Sequence, residues 1–345
     1  MNIYTPEGWL DVVKINAVAE RNGINFIFII GKRQVGKTYG VLKFVVDETR
    51  PFVLMRLTTP ELKMLKKNVN NPLDKIYPNE FNVVSESDYT AGIIRYKEDS
   101  EKNVNERVGM ICALSTVGKI RGFNGDIYTD LVVDEFIPEI HLYHVRDEGD
   151  AFLNAYTTIN GNRELEGRPA LRCWLLANSN NIDSDILRAL NVDKIVERMI
   201  LKAEETVIIK ERGIMVIMPE SPEITEKRKN GALAKAIDMQ SKFAKMAYNN
   251  EFSYNDFSDI RYDNLCHYNA FASLGEMIIH ISKKGKYIYV TERYKVKAKY
   301  EYPDTDAGKR KFVVDFGNLR GAFNKGRIYF QSAKIKNYFL QIFGL

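Results

Sequence analysis

Short apolar runs recur through the first 200 residues, and polar segments of helix length separate them. A strand in the middle of a parallel sheet reads as a continuous apolar run, and strands that alternate with helices indicate such a sheet covered by helices on both faces. The pattern therefore predicts an α/β fold. The predicted strands span residues 26–30, 52–57, 108–114, 131–133 and 171–177.

Helix-like segments frame the first of these strands and reappear near the end of the chain. In residues 6–20, the apolar positions Trp9, Val12, Val13 and 15–18 lie on one side of a predicted helix. A helix is also favoured directly after the first strand, and two more are favoured in the last third of the chain. These three predicted helices span residues 39–47, 232–249 and 332–343.

The character of the chain changes after residue 200. A β-like stretch at 206–218 is followed by Pro219, by Pro222 and by the charged run 226–231, so we predict a linker or hinge here. Beyond it, two β-like runs flank Lys283-Lys284-Gly285, which predicts an antiparallel hairpin. The predicted boundaries are 1–200 for the first domain, 201–231 for the linker and 232–345 for a smaller α+β domain, and the hairpin strands are 276–282 and 286–292.

Composition and charge narrow the class of protein. With 345 residues the chain is long enough for two domains, and 45% hydrophobic and 28% charged residues are ordinary for a globular protein. No apolar run approaches the length of a membrane span and no apolar leader follows Met1, so we expect no membrane association and a protein that stays where it is made. The net charge of +5 hides an asymmetry, because residues 281–345 carry 15 basic and 5 acidic side chains. Such a surplus points to a polyanionic partner.

The most informative motif lies where the first apolar run ends. Residues 31–38 read Gly-Lys-Arg-Gln-Val-Gly-Lys-Thr, which has the spacing G-x-x-x-x-G-K-T. Between a strand and a helix, the glycines allow a loop whose backbone N–H groups point at an anion. Lys37 can then reach the β- and γ-phosphates of a nucleotide, and the Thr38 hydroxyl can bind Mg²⁺. The predicted ligands are ATP and Mg²⁺, and the predicted nucleotide-binding residues are Gly31, Lys32, Arg33, Gln34, Val35, Gly36, Lys37, Thr38 and Asn178.

A second motif follows where the apolar run 131–133 ends in Asp134 and Glu135. At the carboxyl end of a central strand, Asp134 can hold a Mg²⁺-bound water beside Thr38. Glu135 is then placed to polarise the water that attacks the γ-phosphate. Adjacent carboxylates favour a hydrolase over a small-molecule kinase, since a hydrolase needs a base directed at water. The later run 171–177 ends in Asn178, whose amide at a strand tip could report the presence of the γ-phosphate.

Several arginines are candidates for stabilising the charge that develops in the transition state, an effect typically worth about 10³–10⁵ in rate. Arg33 lies inside the phosphate loop and could act within its own subunit. Arg121 precedes the strand that ends in Asp134 and could contact phosphate or a neighbouring subunit. Arg163 is the candidate for an arginine supplied in trans, and the alternative for each arginine is a surface ion pair. The fallback candidates for the trans arginine are Arg146 and Arg168.

These motifs resemble those of a known family. Residues 31–38 are similar to the R-Q-x-G-K-[ST] phosphate loop of terminase-like viral DNA-packaging ATPases. Residues 115–123 resemble the arginine-glycine segment before their Walker B strand, and residues 172–179 resemble their coupling motif. In its length and in its lack of a large nuclease domain, the chain most resembles the podovirus DNA encapsidation protein family. The members of that family are ring-forming packaging ATPases of small tailed phages. The resemblance is specific over about residues 25–180.

The resemblance implies an ASCE-type P-loop ATPase domain and places Lys37, Thr38, Asp134 and Glu135 in Walker roles, with Arg33 as an arginine acting in cis. It also implies a homo-oligomeric ring, expected to be a pentamer, that docks transiently on the portal vertex of a procapsid in the host cytoplasm. It leaves open whether an RNA adaptor joins the motor to the capsid. Relatives can carry a further arginine where this chain has Gly161, so the trans arginine stays undetermined.

Large terminases add an RNase H-like nuclease, which needs several carboxylates that converge on two metal ions. The two predicted hairpin strands lack an acidic residue midway, and Asp315 is the best single candidate, so we expect a vestigial, inactive nuclease-like domain. The basic surplus instead predicts contacts with a DNA backbone, which are salt-sensitive and largely independent of sequence. The predicted DNA-contacting residues are Lys283, Lys284, Lys286, Arg293, Lys309, Arg310, Lys311 and Lys325.

The sequence therefore favours an ATP-driven translocase of double-stranded DNA that packages a viral genome. One alternative is a cellular-type P-loop DNA-dependent ATPase, such as a helicase or loader in replication or repair, and strand-displacement assays would separate the two. Another is a nucleotide-regulated scaffold in which hydrolysis is incidental, and a lack of DNA-stimulated ATPase activity would favour it.

Overall fold

The computed structural model describes residues 2–32, 34–67, 70–98, 103–119, 125–137, 147–178, 184–237, 259–292 and 296–345. The chain forms two compact units, Met1–Tyr254 and Asn255–Leu345, and each unit has its own hydrophobic core. Within the described ranges, every helix is too short or too polar to cross a membrane.

The first unit is built on a mostly parallel sheet. Its strands are β1 (Phe26–Gly31), β2 (Phe52–Arg56), β3 (Phe81–Ser85), β4 (Thr90–Glu98), β5 (Asn103–Ala113), β6 (Asp130–Asp134), β7 (Arg172–Asn178), β8 (Thr206–Ile209) and β9 (Ile214–Ile217). Among the described residues they form one sheet in the order β3-β4-β5-β2-β6-β7-β1-β9-β8. The six strands from β5 to β9 in this order are parallel, and antiparallel strands extend both edges. The predicted α/β fold with a parallel sheet is confirmed, and all five predicted strands are present.

Helices connect these strands. They are α1 (Val12–Arg21), α2 (Lys37–Asp47), α3 (Thr59–Leu65), α4 (Glu148–Asn160), α5 (Asp185–Ala189), α6 (Asp193–Lys202), α7 (Pro222–Lys229) and α8 (Ala232–Ala236). Helix α1 begins later than the sequence predicts, because Asp11 caps it by accepting a hydrogen bond from the Lys14 N–H at 3.1 Å. The preceding residues form a turn that is closed by a bridge between Tyr4 and Leu10. The predicted helix at 232–249 starts as α8, and its remainder from residue 238 lies outside the described residues.

A buried polar group ties the middle of the sheet together. The Asp130 carboxylate at the start of β6 is fully buried. It accepts hydrogen bonds from the Trp174 indole at 2.9 Å and from Arg50 Nε at 2.7 Å. Because a buried carboxylate is costly unless it is paired, these bonds hold the amino-terminal ends of β6 and β7 in register.

The predicted linker at 201–231 is wrong for its central part. Strand β9 pairs in parallel with β1, with Phe28 opposite Val216, and β8 completes the edge of the same sheet. Pro219 follows β9 and packs directly against Gly31, because a Cβ on that glycine would lie 2.9 Å from Pro219 Cδ. The proline therefore ends the strand and does not form a hinge. This stretch therefore belongs to the first unit.

The second unit combines a mixed sheet with helices. Its elements are β10 (Tyr268–Leu274), β11 (Met277–Ser282), β12 (Ile288–Glu292), β13 (Tyr300–Tyr302), α9 (Asp306–Asp315), α10 (Asn318–Asn324), β14 (Ile328–Phe330) and α11 (Ala333–Phe343). The described strands are ordered β13-β10-β11-β12-β14. The predicted hairpin is present as β11 and β12, and the predicted last helix is α11. An aromatic core that includes Phe312, Phe330 and Phe339 fills the space between the sheet and the helices.

Candidate functional site

The phosphate loop lies between β1 and α2, as its spacing predicts. Its last glycine, Gly36, has φ +87° and caps α2, and Gln34 also has a positive φ of 64°. Positive φ values are favourable for glycine and uncommon for other residues. The backbone therefore has the conformation for which the motif places a glycine at position 36. Val35 anchors the loop in the core, being 1% exposed. Arg33 lies outside the described residues.

The Lys37 ammonium is held at the centre of this loop. It donates to the carbonyl oxygens of Gly31 at 2.9 Å and Lys32 at 2.6 Å, and to the Asn178 side-chain oxygen at 3.1 Å. Only 8% of Lys37 is exposed. Phosphate oxygens accept hydrogen bonds from ammonium groups more strongly than carbonyl oxygens do, so the predicted role of Lys37 requires only that it exchange these partners.

Strand β7 separates β1 from β6, so Asn178 at its end lies between the two motifs. Residues 179–183, which follow Asn178, lie outside the described residues. On the far side of β7, the Thr38 hydroxyl donates to Asp134 Oδ1 at 2.8 Å. The structure thus brings the two motifs together across 96 residues of sequence, at the carboxyl edge of the sheet where open α/β folds bind ligands.

Asp134 and Thr38 have the chemistry that Mg²⁺ prefers, which is hard oxygen donors with one carboxylate. Asp134 is only 6% exposed, and burial raises the pKa of its carboxyl, although the Arg56 guanidinium and the Thr38 hydroxyl act in the opposite direction. Within the described part of the chain, no group of three or more acidic, histidine or cysteine side chains could hold a metal ion by itself.

Glu135 follows directly and has a positive φ of 56°. For a residue with a bulky side chain this is a strained conformation, which persists when the surrounding structure imposes it. Its carboxylate pairs with Arg56 Nη1 at 2.7 Å, and the same atom lies 3.5 Å from Asp134 Oδ2. Glu135 remains half exposed, whereas Arg56 and Asp134 are largely buried.

Arg56 is the site residue that the sequence analysis missed. It ends β2, the neighbour of β6, and so arrives beside both acidic residues. Burial alone would lower the pKa of Arg56, but Asp134 and Glu135 outweigh this effect and raise it, so the guanidinium stays charged. Its Nε atom is buried and has no hydrogen-bond partner among the described residues. The only signal in the sequence is a basic residue at the end of an otherwise apolar strand.

We expect Arg56→Ala to lower the free energy of unfolding by about 2 kcal/mol at neutral pH, because it leaves the buried Asp134 without its cation. The pKa of Asp134, already raised by burial, then rises further. The loss should therefore shrink as the pH falls through that raised pKa, where the protonated carboxyl needs no partner. Urea denaturation between pH 8 and pH 4 measures it. Arg56→Lys keeps a cation and should lose less; a loss of equal size at every pH would mean that packing, not charge, is responsible.

The structure places Arg163 away from the predicted nucleotide-binding residues of its own chain. Its guanidinium donates to the carbonyl oxygens of Asp126, at 2.7 Å, and of Tyr128, both of which precede β6. These carbonyls lie at the amino-terminal edge of the sheet, and only 5% of Arg163 is exposed. A side chain committed in this way within its own subunit is disfavoured as an arginine supplied to a neighbour. Arg168 is more accessible and pairs with Asp126 and Glu166, whereas Arg121 and Arg146 lie outside the described residues.

The predicted DNA-contacting residues divide into two groups. Lys283, Lys284 and Lys286 are exposed in the β11–β12 turn, and Lys325 is exposed just before β14. Strands β12 and β14 run parallel, and the Ile288 N–H donates to the Arg327 carbonyl at 2.9 Å, so these four lysines lie at one edge of the sheet. The other group, Lys309, Arg310 and Lys311, lies on α9, and Arg293 is outside the described residues.

Asp315, the single nuclease candidate, lies on a helix rather than a strand. It is the last residue of α9, and its carboxylate accepts a hydrogen bond from the Tyr302 hydroxyl at 2.6 Å. The described residues bring no group of three potential metal ligands together around it. The expectation of an inactive nuclease-like domain stays a prediction.

Two solved structures share the fold along nearly the whole chain. One is the bacteriophage Phi-29 viral genome packaging motor assembly, with a TM-score of 0.63 and 17% sequence identity over 98% of this chain and 99% of that chain. The other is the Phi-28 gp11 DNA packaging motor, with a TM-score of 0.54 and 16% identity over 99% of both chains. No protein-family model matches the chain, and a comparison with curated proteins finds no match either. At these identities the likeness establishes the fold, which is that of phage DNA-packaging motor proteins.

Proposed function

We propose that this chain is the ATPase subunit of a viral genome-packaging motor, which hydrolyses ATP and uses the energy to translocate double-stranded DNA. The observation that carries the proposal is a contact between the phosphate loop and the acidic pair, which is Asp134 and Glu135. The Thr38 hydroxyl of the loop donates a hydrogen bond to Asp134 at 2.8 Å. A fold hosts many functions, so the likeness to packaging motors supports the proposal only together with this site. That likeness also favours a packaging motor over a cellular helicase or loader.

In the proposed reaction, the backbone of residues 34–38 and the Lys37 ammonium bind the β- and γ-phosphates of ATP. Thr38 and Asp134 hold Mg²⁺, which neutralises phosphate charge when it is bound. Glu135 accepts a proton from water while the water oxygen bonds to the γ-phosphorus. The bond from the γ-phosphorus to the β–γ bridging oxygen breaks, and ADP and inorganic phosphate leave.

Arg56 restrains Glu135 in this scheme. The Glu135 carboxylate is 2.7 Å from the Arg56 guanidinium, so it is engaged by a cation rather than directed at a water molecule. Turning away from Arg56 releases the carboxylate for its role as a base. An arginine from a neighbouring subunit completes the site, with Arg168 now preferred to Arg163 because its guanidinium is more exposed. Arg33 acts in cis.

The second unit contacts the DNA backbone in the proposed motor. The edge that carries Lys283, Lys284 and Lys286 supplies the positive charge, and Tyr287 and Arg261 lie beside it. Contacts of this kind are independent of sequence, as a motor on arbitrary DNA requires. The unit has no nuclease activity in this proposal. The assembled motor is a homo-oligomeric ring, expected to be a pentamer, on the portal vertex of a procapsid in the host cytoplasm.

The test is the steady-state ATPase rate of the purified full-length chain, with and without double-stranded DNA, across a salt series. We expect DNA to stimulate the rate several-fold and the stimulation to fall steeply as salt rises. A Lys283→Ala/Lys284→Ala/Lys286→Ala variant should lose more stimulation than a Lys309→Ala/Arg310→Ala/Lys311→Ala variant, which removes the same charge from α9. An ATPase rate that is the same with and without DNA at every salt concentration would instead favour a nucleotide-regulated scaffold.

A further inference from the structure

An exposed tryptophan lies beside the phosphate loop. The chain has two tryptophans; Trp174 is fully buried in the sheet, whereas Trp9 is 45% exposed. A Cβ on Gly36 would lie 3.4 Å from Trp9 Cε3, so the indole ring touches the glycine that caps α2. Large aromatic side chains are usually well buried, and one that is half exposed at a ligand site invites a functional explanation.

The backbone fixes Trp9 in this position. A turn with Gly8 at φ +92° precedes it, and the Trp9 carbonyl accepts a hydrogen bond from the Thr5 N–H at 2.8 Å. The next residue, Leu10, is buried and donates its N–H to the Val35 carbonyl of the phosphate loop at 3.4 Å. The ring is therefore held next to the loop by its neighbours in sequence, which leaves one side of the indole available.

Trp9 lies on the side of the loop that faces away from the acidic pair. In the sheet, β7 and β6 flank β1 on one side, and β9 and β8 flank it on the other. The segment around Trp9 packs on the β9 side: Tyr4 bonds Glu205 just before β8, and Gly8 lies against Ser221 and Glu223. A triphosphate whose γ end points to Asp134 extends its nucleoside end in the opposite direction, towards this segment.

We propose that the Trp9 indole stacks on the base of the bound nucleotide and supplies part of its affinity. The inference rests on the proposed nucleotide site and adds the residue that recognises the nucleoside. Base–aromatic stacking tolerates any purine because every base presents a π face, so Trp9 favours nucleoside triphosphates over bare polyphosphate rather than adenine over guanine.

The test compares ligands with and without a base. Calorimetry with Mg²⁺ and a non-hydrolysable ATP analogue, its GTP counterpart or tripolyphosphate would be run on the wild-type chain, Trp9→Leu and Trp9→Phe. We expect Trp9→Leu to weaken binding of both nucleotides about 10-fold and binding of tripolyphosphate less than about 2-fold. Trp9→Phe should restore most of the loss. Val13→Ala, which truncates a nearby exposed apolar residue on α1, is the matched control. It should change neither the nucleotide affinity nor the tripolyphosphate affinity.

Fluorescence gives an independent readout, because Trp174 is shielded from solvent. The nucleotides should quench wild-type emission more than tripolyphosphate does. Equal losses of nucleotide and tripolyphosphate affinity in Trp9→Leu would show that Trp9 supports the loop or a subunit contact and would overturn the stacking role. Unchanged nucleotide affinity in that variant would overturn it as well. If wild-type protein binds neither nucleotide nor tripolyphosphate, the proposed function itself fails.

Discussion

Glu135→Gln is expected to bind ATP with an affinity within about 3-fold of wild type while turning it over about 10²–10⁴ times more slowly. Gln keeps the size and shape of the side chain, so the strained backbone at φ 56° and the neighbouring Thr38–Asp134 bond are retained. The substitution removes the capacity to accept a proton from water, together with the negative charge that pairs with Arg56. Nucleotide affinity by calorimetry and single-turnover hydrolysis by product quantification measure the two effects separately.

The matched control is Glu211→Gln, which removes an exposed carboxylate just before β9, at the opposite edge of the sheet. Its turnover should stay within about 2-fold of wild type, as is usual for surface changes. If Glu135→Gln retained wild-type turnover, another group would have to be the base, and the role assigned to Glu135 would be withdrawn. A parallel fall in affinity and turnover would mean instead that the substitution disturbs the phosphate loop.

Lys37→Ala is expected to weaken ATP binding at least about 100-fold. In the proposed reaction the ammonium donates charge-assisted hydrogen bonds to phosphate oxygens, and each such bond contributes about 1.5–3 kcal/mol. In the structure the same group bonds the carbonyl oxygens of Gly31 and Lys32. Its removal therefore also leaves those carbonyls with one donor fewer. Displacement of a fluorescent ATP analogue measures the affinity, and circular dichroism checks the fold.

The chain provides a second lysine in the same loop as a control. Lys32 is also buried, and burial lowers its pKa, but its ammonium donates to the Thr225 hydroxyl at 3.0 Å rather than to the loop. Lys32→Ala keeps the backbone N–H and should weaken ATP binding less than about 3-fold. Equal losses from the two substitutions would indicate a general effect of positive charge and would contradict a specific phosphate contact by Lys37.

Local patterns explain why the phosphate loop and its flanking elements were predictable. Glycine spacing, the apolar run before it and the helix after it all lie within about 25 residues, and each constrains the backbone directly. The strand that ends in Asp134 was predictable for the same reason. The bond from Asp134 to Thr38 followed because parallel strands end at one edge of the sheet.

Contacts between distant segments explain what the sequence did not reveal. Arg56 meets Glu135 only because β2 and β6 are neighbours, and nothing local in either segment encodes that pairing. Arg163 was predicted to act in trans or to form a surface ion pair, yet its guanidinium is buried and donates to two backbone carbonyls from the segment before β6. A linker was predicted at 201–231 because two prolines and a charged run follow the β-like stretch 206–218. Only the pairing of β9 with β1, and of β8 with β9, identifies these strands as part of the sheet.

The tight packing beneath the phosphate loop has a mechanical consequence. Gly31 has no room for a Cβ beside Pro219, and the Lys32 ammonium is tethered to Thr225 in α7. The polypeptide runs from these two contacts through α8 and onward in sequence to the second unit. In the proposed motor, the start of the segment that leads to the second unit is therefore fixed directly to the residues of the phosphate loop.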